Sequence, residues 1–181
     1  MKKSFAPRAP PTDFSLNPYL FSIMANPLEF YRVNEPYGEF SNFSPHPVQL
    51  KGRIWPTVEH NFQAQKFAGT EHEEVIRQAN SPMIAARLGR ARSRPLRPDW
   101  ETVKEDVMRE ALRAKFTQHP ELRKLLLSTG NRPLIEHTKN DRYWADGGDG
   151  KGRNRLGVLL VELRARLATE ILPPLEPGEA A

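Results

Sequence analysis

One short segment carries an acid, an amide and an amine at helical spacing. Glu59, Gln63 and Lys66 are separated by four and three residues, so on a helix all three side chains project from one face. Glu59 and Lys66 then lie roughly 10 Å apart along the axis, which is too far for a direct ion pair and suits groups that flank a small ligand. The alternative is an ordinary amphipathic helix with a solvated charged face, and spacing alone favours that alternative.

Two further segments combine aromatic, amide and charged residues in a way that packing alone explains incompletely. One is Ser41-Asn42-Phe43, and the other is Asp141-Arg142-Tyr143-Trp144 with the glycine-rich loop that runs from it to Asn154. Glycines permit close approach of a ligand to the backbone, and the free N–H groups at a helix start favour phosphate. Phe43 and Trp144 could stack on a base, although core packing is the simpler explanation for a lone tryptophan.

An arginine-rich loop lies between two predicted helices. It holds Arg90, Arg92, Arg94 and Arg97, with no acidic residue before Asp99. Arginine binds phosphate bidentately, so the loop is a candidate phosphate clamp. A solvated basic loop is an equally good interpretation.

Composition limits the class of protein. The 181 residues suffice for one domain, and the 38% hydrophobic and 27% charged content is typical of a globular chain. No apolar run is long enough to span a membrane, and the absence of cysteine excludes disulfides and thiolate chemistry. We therefore expect a cytoplasmic protein with no membrane partner. The net charge of +5 fits an anionic ligand such as a nucleotide or nucleic acid.

The predicted elements place these segments in one domain over residues 28–170. A flexible proline-rich arm is predicted for residues 1–27, where Met24 is a second candidate start, and a tail for residues 171–181. Hydrophobic patterning and turn signals predict strands over 28–33, 48–54 (bent at Gly52) and 133–138. They predict helices over 56–67, with Pro56 in its first positions, and over 70–78, 81–89, 99–116, 121–128 and 156–167.

Several common enzyme motifs fail. A zinc-protease helix would need a second histidine where Ile76 stands, and a P-loop would need Ser or Thr where Gly152 stands. The dinucleotide-binding fingerprint fails because Arg153 occupies its last glycine position. The five histidines are scattered, so we predict no metal site.

Motifs in a fixed order identify a family resemblance over residues 28–168. The chain resembles the NADAR family, also called YbiA-like, and departs from it at Ala145, where the family usually has glycine. The matching motifs are Phe40-Ser41-Asn42-Phe43, Val58-Glu59-His60 with Gln63-Ala64-Gln65-Lys66-Phe67, Arg97-Pro98-Asp99-Trp100, Val107-Met108 with Lys115-Phe116, Leu134-Ile135-Glu136, and the segment from Asp141 to Gly157.

The resemblance implies a fold and a reaction. The expected fold is α+β, a compact and mostly helical single domain with a small β-sheet. The expected activity is that of an N-glycosidase needing no metal or cofactor, which hydrolyses a bond between ribose C1′ and nitrogen. The leading expectation for the substrate is ADP-ribose attached to guanine in nucleic acid. The alternative is a phosphoribosylamino-pyrimidine intermediate of riboflavin synthesis.

The residues that match the family motifs supply candidates for this chemistry. Cleavage builds positive charge on the sugar, so a carboxylate beside C1′ and a proton source at the leaving nitrogen are needed. Glu59 is the first candidate carboxylate, Asp141 the second, and Glu136 a weaker one. Three roles are open for Lys66: proton donor, phosphate clamp or amine nucleophile. The expected substrate-binding residues are Asn42, Phe43, Gln63, Trp144, Gly147, Gly148, Arg153 and Asn154, with Arg153 and the loop amides at phosphate.

Two functions of other classes remain. A non-catalytic module that binds NAD or ADP-ribose would bind its ligand without turnover. A structural interaction protein using the basic loop would bind no nucleotide. The sequence leaves the oligomeric state open.

Overall fold

The computed structural model describes residues 26–170. The predicted arm lies outside these residues apart from its last two positions, as does the predicted tail. The helices are α1 Val58–Ala64, α2 Glu71–Arg77, α3 Pro82–Gly89, α4 Trp100–Gln118, α5 Pro120–Ser128 and α6 Arg155–Thr169. The strands are β1 Leu28–Phe30, β2 Val48–Leu50, β3 Arg53–Trp55 and β4 Leu134–Glu136, and short 3₁₀ turns span Gly38–Phe40 and Gln65–Phe67. The fold is α+β and mostly helical, as predicted.

The strands form two separate pairs. β1 and β4 are parallel, with Phe30 opposite Glu136, and β2 and β3 form an antiparallel hairpin. The prediction of one bent strand over 48–54 was therefore wrong. Lys51 and Gly52 both have positive φ, at 54° and 73°, and two such residues reverse the chain in a tight hairpin turn.

Helix α1 is the centre of the packing. Thr57 caps it by accepting a hydrogen bond from the His60 N–H, and all seven of its residues are buried. It packs against α2, α3 and α4. The interpretation of α1 as a surface helix with a solvated charged line is therefore wrong: Glu59 and Gln63 lie inside the protein.

The longer helices complete the core and support the strands. The apolar side of α6, with Leu156, Leu160 and Leu167, is buried as its spacing predicts. Arg132 donates hydrogen bonds to the carbonyls of Asn26 and Pro27, which ties the start of the described chain to the segment before β4. Across residues 26–170, no helix combines the length and the apolar character that crossing a bilayer requires.

Candidate active site

A cleft of about 860 Å³ opens beside α1. Its walls come from residues 31–34, the 41–43 turn, α1, both ends of α3, Met108 on α4, and the segment that follows β4. The polar side chains that line it include Asn42, Glu59, Gln63, Arg90, Glu136 and Asp141. Six of the eleven predicted site residues line this cleft: Asn42, Phe43, Glu59, Gln63, Asp141 and Trp144.

Glu59 is a buried carboxyl group with a single side-chain donor. Only 5% of the residue is exposed, and its Oε1 accepts a 2.8 Å hydrogen bond from Gln63 Nε2. Burial raises the pKa of Glu59, whereas the Gln63 bond and the positive charges of Arg90 and Lys66 oppose that rise. The pKa of Glu59 remains raised overall, and these partners limit the rise.

Glu136, at the end of β4, is a second carboxyl group with a raised pKa, and its neighbours are acids. Burial, reinforced by the negative charges of Asp141, Glu59 and Asp146, raises the pKa of Glu136 to about 8. A carboxyl group with that pKa is mostly protonated at neutral pH and can donate a proton. The sequence ranked Glu136 below Asp141, because no local pattern shows how closely the acids approach one another in the fold.

Asp141 anchors the aromatic side of the cleft. Its Oδ1 accepts hydrogen bonds of 2.7 Å from the backbone N–H groups of both Tyr143 and Trp144. The Trp144 ring then meets Phe62 edge to face at 5.2 Å between ring centroids. Asp141 therefore fixes the Trp144 backbone while its carboxyl group lines the cleft.

The 41–43 turn is joined to the catalytic candidate through the backbone. The Asn42 carbonyl accepts a 3.0 Å hydrogen bond from the Glu59 N–H. The Asn42 Oδ1 and Gln63 Oε1 atoms are both buried and have no hydrogen-bond partner among residues 26–170. Two buried acceptors beside a carboxyl group are suited to bind ligand hydroxyl groups, since an unpaired buried acceptor costs free energy.

Lys66 stands outside the residues that line the cleft. Its Nζ donates a 3.2 Å hydrogen bond to the Gly89 carbonyl at the end of α3. It also lies 5.7 Å from the ring centre of Phe62 and 5.8 Å from that of Trp100. Burial lowers the pKa of Lys66, and the nearby Glu59 charge partly offsets this. In this structure the ammonium group ties the 3₁₀ turn after α1 to the end of α3.

The glycine loop does not present free amides to the cleft. The Gly147 N–H bonds to the Asp141 carbonyl and the Gly148 N–H to Asp146 Oδ1. The first N–H groups of α6 bond to carbonyls of residues 143 and 144. These N–H groups, which were expected to bind phosphate, therefore already donate to acceptors within the protein.

Arg153 and Asn154 also lie away from the cleft lining. The Arg153 guanidinium lies 5.4 Å from the ring centre of Tyr143. Asn154, with φ of 46°, donates to the Leu134 carbonyl and accepts from the Glu136 N–H. Asn154 thus positions Glu136 through the backbone.

Ala145 is buried and has no positive φ, so the departure from the family's glycine creates no backbone strain.

The arginine loop contributes one side chain to the cleft, Arg90. Arg97 pairs with Asp99 at 2.6 and 2.8 Å, and Arg94 donates to the Leu88 carbonyl. Tyr31 and Met83 also line the cleft, and no sequence pattern predicted them, because they come from distant segments without a local signal.

Among the residues described, no group of three or more His, Asp or Glu side chains is arranged to hold a metal ion.

Comparison with known proteins gives consistent matches. The NADAR domain matches residues 29–168. N-glycosidase YbiA of Escherichia coli K12 is 60% identical over 143 residues, which are 79% of this chain and 89% of that protein. The solved structure of the E. coli protein YbiA aligns with a TM-score of 0.74 and 59% identity, covering 80% of this chain and 87% of that one.

A plant relative carries a different name. The chloroplastic riboflavin biosynthesis protein PYRR of Zea mays is 39% identical over 181 residues, which cover 92% of this chain and 29% of that protein. The fold, the acid-lined cleft and these relatives define the class of protein: an enzyme of the N-glycosidase type, a hydrolase of N-glycosyl compounds. The chain belongs to the NADAR domain family, as its motifs predicted.

Proposed function

We propose that the cleft beside α1 hydrolyses the bond between ribose C1′ and the nitrogen of a base or amine. The observation that carries the proposal is the pairing of two buried carboxyl groups with different partners in one cleft: Glu59 has a hydrogen-bond donor and two nearby cations, and Glu136 has acids around it. Glu59 has partners that favour its ionised form, and Glu136 has a pKa of about 8. Two groups whose surroundings separate their protonation states can serve as base and acid in one reaction.

The proposed reaction proceeds by direct attack of water. As the C1′–N bond breaks, positive charge develops on the sugar and is stabilised by the Glu59 carboxylate. Glu59 accepts a proton from the attacking water, whose oxygen bonds to C1′. The leaving nitrogen takes a proton from Glu136. The products are a ribose hemiacetal and a free amine.

The other cleft residues would bind the substrate. Asn42 Oδ1 and Gln63 Oε1 would accept hydrogen bonds from ribose hydroxyl groups, because both are buried acceptors that lack partners among the described residues. Arg90 would pair with a phosphate group. Trp144 and Phe43 would contact the planar leaving group.

For the substrate we favour a phosphoribosylamino-pyrimidine. Relatives from Zea mays and from Vibrio vulnificus are named riboflavin biosynthesis proteins. The arginine loop also supports a small substrate, because Arg94 bonds to the Leu88 carbonyl of α3, Arg97 pairs with Asp99, and Arg90 is the one arginine of this loop that lines the cleft.

ADP-ribose attached to guanine remains the second candidate. A cleft of about 860 Å³ is large for a sugar phosphate and lies near the upper end of the roughly 300–1,000 Å³ range of ligand pockets. That volume leaves room for a diphosphate and a second nucleoside.

The test is direct turnover. Purified protein would be incubated with each substrate, and release of free base or ADP-ribose would be followed by mass spectrometry. We expect release from the pyrimidine that is lost in Glu59→Gln and in Glu136→Gln. The matched control is Glu110→Gln, an exposed carboxyl group paired with Lys51 away from the cleft. Binding of both substrates without release of either would contradict an enzyme and support a non-catalytic binding module.

The role of Lys66 can be tested in the same samples. Attack of its amine on an opened sugar would form a Schiff base, which borohydride reduces to a stable adduct. Because Nζ bonds to the Gly89 carbonyl, we expect no adduct. A trapped sugar on Lys66 would contradict direct attack by water and assign Lys66 the nucleophilic role.

A further inference from the structure

Lys115, on α4, is a buried cation that the proposed reaction does not use. Only 1% of the residue is exposed, although lysine is rarely buried without a charged partner. Burial lowers the pKa of Lys115 to about 7. Its surroundings therefore impose a cost on the charged group that some other interaction must offset.

All three donors of the Lys115 ammonium are used by one short segment. Nζ donates to the carbonyls of Glu39 and Ser41 and to the hydroxyl of Ser44, and the bond to Ser41 measures 3.0 Å. Every acceptor is an uncharged oxygen atom. The segment comprises residues 38–44, which we name the Asn42 turn, and it lies more than 70 positions from Lys115 in the sequence.

The Asn42 turn carries part of the cleft. Asn42 and Phe43 line it, and the Asn42 carbonyl accepts the hydrogen bond of the Glu59 N–H at the start of α1. The turn also has bonds of its own, from the Ser41 N–H to the Gly38 carbonyl and from the Ser44 N–H to the Ser41 carbonyl. Without Lys115 the turn would keep its local shape and the contact of Phe40 with Phe116 on α4, at 5.9 Å between ring centroids, and would lose its hydrogen bonds to α4.

We propose that Lys115 is a positioning residue that holds the Asn42 turn against α4 and so sets the placement of Asn42 relative to Glu59. It acts through the turn and does not touch the substrate. The proposal goes beyond the proposed function in naming a residue outside the cleft that controls substrate binding, and its kinetic test rests on that function.

Arg164 provides a matched control for buried charge. It is also buried, at 8% exposed, and its Nη1 donates to Thr129 Oγ1 and to the Arg132 carbonyl. These acceptors belong to the connection between α5 and β4 and do not line the cleft. Lys115→Met and Arg164→Met each remove a buried cation bound to uncharged oxygens, and only the first acts on the Asn42 turn.

The first test is hydrogen exchange of the Glu59 amide, measured by NMR on the full chain at a temperature where each variant is folded. Exchange reports local opening of the bond to the Asn42 carbonyl. We expect Lys115→Met to accelerate exchange at least about tenfold, since each bond to a charged group contributes more than a neutral one. Arg164→Met should leave the rate near that of the original protein. Equal rates in Lys115→Met and the original protein, or equal acceleration in both variants, would overturn the proposal.

The second test separates binding from chemistry with the phosphoribosylamino-pyrimidine as substrate. Lys115→Met should raise KM about tenfold with kcat changed much less, and Ser44→Ala should move KM in the same direction by a smaller factor. In an Asn42→Ala background, Lys115→Met should add little, because the two changes act on one contact. If Lys115→Met raised KM by the same factor with and without Asn42→Ala, the two changes would act independently, and this would contradict the proposal that Lys115 acts through Asn42.

The two tests distinguish failure of the inference from failure of the proposed function. If neither substrate turns over, the proposed function fails and the amide exchange still decides the role of Lys115. If turnover occurs and the Glu59 exchange is insensitive to Lys115, the function stands and the inference fails.

Discussion

Glu59 and Glu136 show how one residue type acquires two roles from its neighbours. Gln63 donates a hydrogen bond to Glu59, and two positive charges lie near it. Glu136 meets three negative charges and no hydrogen-bond donor that lowers its pKa. The difference in surroundings, and not the side chain itself, would make one group the base and the other the acid.

At this scale we predict a loss of chemistry with retained binding in Glu59→Gln. The amide keeps the size of the side chain and cannot accept the proton of water, so kcat should fall by about 10²–10⁴-fold, the usual contribution of a general base. Substrate affinity, measured by calorimetry, should change little. A variant that keeps more than half of the original kcat would exclude Glu59 as the base.

Glu136 links activity to stability through pH. Its pKa is raised in the folded protein from 4.5 to about 8, so the folded state holds this proton more tightly than the unfolded state does. The stability that this provides is complete below pH 4.5 and is lost as pH rises through 8. In Glu136→Gln that loss should be absent, because the amide does not ionise.

The measurement is thermal unfolding of both proteins at pH 5 and pH 9. We expect the Tm of Glu136→Gln, relative to that of the original protein, to be higher at pH 9 than at pH 5. The activity of Glu136→Gln should be low at both pH values. Groups distant from Glu136 titrate equally in the two proteins, so the difference reports Glu136 together with the acids coupled to it. A Tm difference that is the same at both pH values would show that the Glu136 pKa is not raised by folding.

At the scale of elements, the approach of α3 to α1 sets the site. Gly89 ends α3, and a Cβ atom built there would lie 2.1 Å from Gln63 Oε1. Lys66 bonds to the carbonyl of the same glycine. The close contact that glycine allows therefore holds Gln63 against Glu59.

We predict that Gly89→Ala destabilises the protein by about 1–3 kcal/mol, the usual cost of overpacking, and lowers activity by displacing Gln63. Urea unfolding and turnover measure the two effects. Adding Gln63→Gly should remove the clash, because the Gln63 Cβ also lies only 2.7 Å from the added Cβ atom, and should restore part of the stability without restoring activity. Equal stability of Gly89→Ala and the original protein would show that Gln63 moves aside at no cost.

At the scale of the whole molecule, the net charge is +5, and the cleft itself is lined by both signs, with Arg32 and Arg90 beside three acids. In the arginine loop, the most basic segment, Arg94 bonds to the Leu88 carbonyl of α3 and Arg97 pairs with Asp99. A small substrate would meet the local field of Arg90 and the acids. A nucleic acid would have to follow a longer basic surface.

This difference predicts how salt affects the reaction. Turnover of the phosphoribosylamino-pyrimidine, measured as kcat/KM, should fall less than about threefold between 50 and 200 mM salt, because few counterions are released. Binding of ADP-ribosylated DNA through several phosphates would fall far more steeply. A steep salt dependence with faster turnover of the DNA substrate would reverse the order of the two candidates.

The sequence by itself determined the family, the α+β class, most helix positions and the Glu59–Gln63 pair. These features depend on motifs and on spacing along one element, which are properties of neighbouring residues. It also named Asn42, Phe43, Asp141 and Trp144 as site candidates, because the family motifs carry them; all four line the cleft, and their roles stay predictions. The flexible arm, the tail and the cytoplasmic location stay predictions.

Only the tertiary structure decided which of the candidate groups meet. The fold brings Glu136 into the same cleft as Glu59 and Asp141, although Glu136 follows Glu59 by 77 positions in the sequence. It turned Lys66 toward Gly89 and used the N–H groups of the glycine loop for bonds within the loop. It also buried Lys115 beneath the Asn42 turn. The pKa of an acid and the partner of an amide depend on atoms from distant segments, and their approach is set by packing, which local sequence patterns do not encode.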